Sequence, residues 1–179
     1  MMSDPLAYFI TFTSYGTRMH GGPDGSVERI RDGTGTLELD ADARRERHET
    51  SLLLSEPVTF DERQRAVVAD AMHGVARHRA WQLWALNVRT NHVHVVVSAA
   101  AAPEQVMNTL KAWSTRRLRE AGQDGGAPKL WTRHGSTRYL WSERDIEGAV
   151  QYVLEAQGGD LGGVRGSRAV EADLPDGRI

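Results

Sequence analysis

The chain has 179 residues, 40% of them hydrophobic and 26% charged, a composition that fits one globular domain with some decoration. It contains no cysteine, which excludes disulfides, thiolate zinc sites and cysteine nucleophiles, so any metal must be held by histidine, carboxylate, amide or water. A net charge of −2 argues against broad electrostatic coating of DNA and leaves room only for a local basic patch. The start, Met1-Met2-Ser3-Asp4-Pro5, lacks a basic region followed by a long apolar one, and no stretch reaches the length of a membrane span. A cytoplasmic protein without membrane contact is expected.

Tyr8-Phe9-Ile10-Thr11-Phe12-Thr13 alternates apolar and hydroxyl residues and predicts a first strand. An irregular insert over residues 16–56 follows, rich in Gly, Asp and Arg, in which Leu37-Glu38-Leu39 and Ser51-Leu52-Leu53-Leu54 are candidates to pair or pack as short pieces. Thr59-Phe60-Asp61-Glu62 reads as a capping box opening a first helix, with Val68, Met72 and Val75 at helical spacing. Residues 81–88 and 91–97 read as two strands joined by a short turn. In the second, Asn91-His92-Val93-His94-Val95-Val96-Val97, the period of two sends His92 and His94 to one face and Val93, Val95 and Val97 to the other, toward the core. Two imidazoles side by side on one sheet face can grip a divalent metal, but an isolated His-x-His is more often a polar face or a satisfied core pair. The chemistry therefore needs a partner group elsewhere in the chain.

Pro103 and Glu104 open a second helix. Its core side is Val106, Leu110, Ala112 and Trp113, and a polar stripe carries Asn108, Lys111, Thr115 and Arg119. From Gln105 to Arg144 eight cations face only Glu120, Asp124 and Glu143, which marks either a solvated helix face or a nucleic-acid contact. A fourth strand is expected within residues 137–141. A third helix capped by Ser142, with Ile146, Ala149, Val150, Val153 and Leu154 as its apolar face, ends near Gly158-Gly159. Residues 159–179 read as a flexible tail. The order β-α-β-β-α-β plus a further helix predicts an α+β, ferredoxin-like antiparallel sheet with two helices on one face, the third helix adding to that core. On a helical wheel Tyr152 lies about 130° from the centre of the apolar arc, on the polar flank, where its hydroxyl is free to meet another surface.

His92-Val93-His94 on a strand, this order of elements and a single tyrosine at Tyr152-Val153-Leu154 together resemble the IS200/IS605-like transposases. These are single-tyrosine members of the His-hydrophobe-His endonuclease superfamily, and the branch most similar is the REP-associated tyrosine transposases, which cut and join single-stranded DNA at hairpins. The resemblance runs from about Tyr8 to Gln157 and identifies residues 1–158 as one transposase-like domain carrying the insert. It implies that His92 and His94 hold Mg²⁺ or Mn²⁺ and that Tyr152 attacks phosphorus to form a 5′-phosphotyrosine on single-stranded or hairpin DNA. The family usually places Asn or Gln four residues after the tyrosine as a third ligand. That position is Ala156 here, so the neighbouring Gln157 is the candidate.

Lys111, Arg116, Arg119, Arg133 and Arg138 are the candidate DNA-backbone contacts, and Trp131, His134 and Tyr139 the candidate platforms for unpaired bases. Both a monomer and a homodimer are compatible with the resemblance. Two alternatives stand beside it. A domesticated, non-cleaving DNA-binding protein on the same fold is motivated by Ala156. A metal-dependent hydrolase of small phosphoesters would need an acidic ligand near the histidines, and none is adjacent in sequence.

Overall fold

The structure, a computed structural model, describes residues 4–17, 26–29, 36–39, 55–155 and 164–165. The elements in chain order are β1 (Ala7–Thr13), β2 (Ser26–Arg29), β3 (Thr36–Leu39), α1 (Glu62–His78), β4 (Gln82–Val88), β5 (His92–Ser98), α2 (Pro103–Glu120), β6 (Ser136–Leu140), α3 (Glu143–Glu155) and β7 (Val164–Arg165). The main sheet runs β6-β1-β5-β4-β7 with every pairing antiparallel. Its first four strands have the ferredoxin-like order, so the α+β architecture expected from the element sequence is the one observed.

The insert contributes a separate hairpin, in which Thr36–Leu39 pairs with Ser26–Arg29. The segment Ser51-Leu52-Leu53-Leu54 lies outside the described residues, as do Ala156, Gln157 and the tail apart from β7. The short β7 pairs with Ala85 and Leu86 of β4, an edge contact that no periodicity in the sequence announces.

The helix α1 starts two residues later than the Thr59 box implies. Asp61 is the cap, accepting from the Gln64 amide at 2.8 Å while Gln64 Oε1 accepts from the Asp61 amide at 2.8 Å. Phe60 decides this: it is buried, its amide bonds to Thr90 O at 2.7 Å, and the chain can turn into a helix only after that anchor.

The sheet separates two cores. On one face Tyr8, Ile10, Phe12, Val93, Val95 and Val97 pack against Val68, Met72 and Val75 of α1 and Val106, Met107, Leu110 and Leu118 of α2. On the other, Ala7, Ala85, Val96 and Leu140 pack under Ile146, Ala149 and Val153 of α3. The third helix thus builds a second core on the opposite face, which corrects the expectation that it adds to the first. An amphipathic stripe records that a helix buries one side, but not which side of a sheet it covers. Trp131, a stacking candidate by composition, is also buried in the first core, with its ring centroid 5.1 Å from that of Phe12 and 5.0 Å from that of Phe60.

Lys111 departs furthest from expectation. It is only 7% exposed, and its Nζ donates to the carbonyls of Thr132 at 3.0 Å, His134 at 3.1 Å and Arg133 at 3.5 Å, with the Phe12 ring below. The buried arc of α2 includes Lys111 and Ser114 and leaves Ala112 exposed, so Lys111, assigned to phosphates from its stripe, instead braces the loop before β6. Burial draws the Lys111 pKa down from 10.5 to about 8. The unfolded chain then binds a proton that the folded chain gives up, so Lys111 contributes stability that rises as pH climbs from about 8 toward 10.5 and is lost as pH falls back through 8. Lys111→Met is expected to remove that rise. It should also destabilise the fold at neutral pH by about 1–3 kcal/mol through three carbonyls left without their donor. Urea unfolding of both proteins across this pH range measures both effects.

Candidate active site

The turn between β4 and β5 is held from three sides. Arg89 donates its amide to His92 O at 2.8 Å, Phe60 to Thr90 O at 2.7 Å and Ser14 to Asn91 O at 2.8 Å. The strand β5 therefore begins at a fixed point, and its period of two places His92, His94 and Val96 on the α3 face. The β1 residues opposite them are Thr13, Thr11 and Phe9. The helix α3 covers the apolar half of this face, while His92, Thr11 and Thr13 are half-buried in the polar half beyond it.

The two imidazole centroids lie 4.7 Å apart at 75°. Asn91 Oδ1 is 2.7 Å from His92 Nδ1, and because a carbonyl oxygen only accepts, Nδ1–H is the donor and Nε2 carries the lone pair. His94 Nδ1 is 2.8 Å from the Thr11 hydroxyl. His94 is 7% exposed and stacks on Phe9 with centroids 5.7 Å apart at 27°. Gly135 lets the segment before β6 lie against β1 and α2, since a Cβ there would stand 2.6 Å from Thr11 O and 2.5 Å from Met107 Sδ.

Tyr152, on the flank of α3, is 44% exposed, and its ring stands edge-on to His94 at 6.0 Å and to Phe9 at 5.8 Å. The structure therefore brings together His92, His94 and Tyr152, three residues drawn from a middle strand and from a helix some 58 positions further along the chain. Among the described residues no third His, Asp or Glu joins the pair in a metal-binding group.

The basic residues do not share one surface. Arg138 is exposed on β6 opposite Phe9, which puts it on the face of the histidines. Arg116 belongs to α2, across the sheet, where with Arg79 and Trp113 it lines a shallow cavity of about 590 Å³. Arg119, also on α2, is engaged with Asp124 at 3.6 Å and with Pro128 O at 3.5 Å. Arg133 and His134 are exposed in the loop that Lys111 braces. Tyr139 is exposed and stacks on Trp141 at 5.9 Å and 18°.

Sequence reasoning did not single out Phe9 or Thr11 for this site. The alternation in β1 already puts Phe9 and Thr11 on one face, but only the pairing register shows that this face is shared with His94.

An antiparallel ferredoxin-like sheet thus bears a His-x-His pair, with a tyrosine presented to it by a docked helix. The family described as Transposase IS200 like matches residues 55–152, and the chain belongs to it. No curated protein matches the chain. Among solved structures, the chain is similar to the REP-associated tyrosine transposase bound to a REP hairpin, with 12% identity, a TM-score of 0.48, and 86% of this chain and 67% of that one covered. It is also similar to a candidate transposase from Deinococcus radiodurans R1, with 17% identity, a TM-score of 0.45, and 85% and 91% covered. Among the described residues no helix is long and apolar enough to cross a membrane.

Proposed function

We propose that the chain is a single-stranded DNA endonuclease and strand transferase acting at hairpins, with Tyr152 as nucleophile and His92 and His94 as ligands of Mg²⁺ or Mn²⁺. The observation that carries this reading is the edge-on approach of the Tyr152 ring to His94 in a chain of the IS200-like family. The donor set fits a divalent ion in part: two imidazoles with centroids 4.7 Å apart, each with Nδ1 engaged, offer two Nε2 ligands, and water or Gln157 would complete the shell. When bound, the ion supplies Lewis-acid polarisation of the scissile phosphate.

The chain's own residues do the rest. The Tyr152 oxygen forms a bond to phosphorus, the bond from phosphorus to the 3′ oxygen breaks, the phenol gives up its proton and the departing 3′ oxygen takes one up. The 5′-phosphotyrosine conserves the bond, so a second 3′-hydroxyl can reverse the step and join strands. Arg138, exposed on the same face, is placed to meet the DNA backbone there. Arg116, Arg119 and Arg133 are candidates for a more distant stretch of strand or stem. Tyr139 stacked on Trp141 offers π faces to unpaired bases.

The test is incubation of the whole chain with single-stranded hairpin oligonucleotides and Mn²⁺, scored for a protein–DNA band that survives denaturation. A metal-dependent band supports the proposal. A second reading, a DNA-binding protein that no longer cleaves, is favoured by Ala156 and by the lack of a third His, Asp or Glu ligand among the described residues. It predicts a retarded hairpin complex on a native gel and no covalent band.

The hydroxyl behind His94 gives a finer check. Thr11→Val keeps a β-branched residue in the strand but removes the partner of His94 Nδ1. Mn²⁺ affinity by calorimetry is expected to fall about 10- to 100-fold, with Thr11→Ser staying near wild type.

A further inference from the structure

Asn87 is a polar residue where the strand offers no reason for one. Its neighbours in Gln82–Val88 are mostly apolar, it is 6% exposed, and a buried amide is costly unless it is bonded. Its Nδ2 donates to Val153 O at 3.0 Å. The opposite amide orientation would set oxygen against oxygen, so the donor assignment is settled by chemistry. The strand β4 thus holds the backbone of the tyrosine helix from the side, at the residue next to Tyr152.

Two features of β4 aim that amide. The register shifts between Leu83 and Ala85, so Trp84 and Ala85 both face α3 and the alternation after them is inverted. Without the bulge Asn87 would share the face of Leu83 and point into the α1/α2 core. With it, Asn87 lies directly across from His94. The same residue therefore flanks the proposed ligand His94 and grips the backbone of the helix that carries Tyr152.

We infer that Asn87 is a positioning residue for strand cleavage, holding α3 at Val153 so that Tyr152 stays over His94. This rests on the reading of Tyr152 as nucleophile, and the experiment separates the two. Asn87→Leu keeps the volume and removes the donor, and Asn87→Ser serves if the leucine variant does not fold. In the whole chain, the NMR shifts of the His94 ring protons, which sense the Phe9 and Tyr152 rings, are expected to move, and amide exchange in α3 around Val153 to quicken while that of α1 stays unchanged. On a hairpin oligonucleotide with Mn²⁺, single-turnover formation of the covalent band is expected to slow about 10- to 100-fold with the hairpin Kd unchanged.

Unchanged His94 shifts and unchanged exchange in the folded variants would overturn the inference, as would a rate that falls only in parallel with hairpin affinity. If wild-type protein forms no covalent band on any hairpin, the nucleophile assignment fails. The NMR and exchange measurements then decide on their own whether Asn87 holds Tyr152 over His94.

Discussion

Tyr152→Phe is expected to abolish covalent attachment to hairpin DNA while leaving the fold and hairpin affinity intact. The ring contacts of Tyr152 with Phe9 and His94 are edge-on and belong to the ring, so phenylalanine preserves them. The side chain is 44% exposed, so losing its hydroxyl should change stability by no more than about 0.5 kcal/mol. The only oxygen that can form the phosphotyrosine is gone, and the rate of adduct formation should drop by about 10⁴-fold or more. A denaturing gel after incubation with hairpin oligonucleotide and Mn²⁺ reads the adduct, a native gel reads binding, and a melting curve reads the fold. A covalent band of wild-type intensity in this variant would remove Tyr152 from the mechanism.

The histidine pair offers the second large effect, and the two members should differ. His92→Ala removes one imidazole from a half-buried position whose side-chain partner, Asn91, is its own sequence neighbour. Loss of Mn²⁺ binding by about 100-fold or more, and of cleavage with it, is expected at little cost in stability. His94→Ala removes the other imidazole and also empties a buried site between Phe9, Tyr152 and Thr11. It should lose metal binding to a similar degree and destabilise the fold by about 1–3 kcal/mol. Calorimetric Mn²⁺ titration and thermal melts of both variants test this. Metal affinity left untouched in both would mean that the pair is a polar sheet face and not a ligand set.

Much of the fold was legible in the residues because local periodicity carries it. The alternation in β1 and in residues 91–97, the helical spacing of Val68, Met72 and Val75, and Pro103 at a helix start each depend on a few neighbouring residues. The same kind of pattern put His92 and His94 on one face and Tyr152 off the apolar arc of its helix. Where two local signals competed, the reading slipped by a few residues. Thr59 and Asp61 are both good caps, and the buried Phe60 between them chose Asp61.

Lys111 shows the limit from the other side. A lysine on a helix reads as solvent-facing because an isolated buried ammonium is costly. The three carbonyls that accept its protons lie more than twenty residues away, and no window on the sequence contains them. Asn87 was silent for the same reason: its partner is a carbonyl 66 positions on, and its direction depends on a bulge set by strand register.

By itself, then, the sequence determined most of the elements, their order and, in β1, β5 and α1, which residues share a face, because those follow from backbone geometry over a few residues. The tertiary structure alone decided that α3 lies on the sheet face opposite α1 and α2, that the basic side chains are divided between the two sides, and that Thr11, Phe9 and Asn87 surround the histidines. Those choices are made by strand register and helix docking, which join residues far apart in the chain and leave no periodic trace in it.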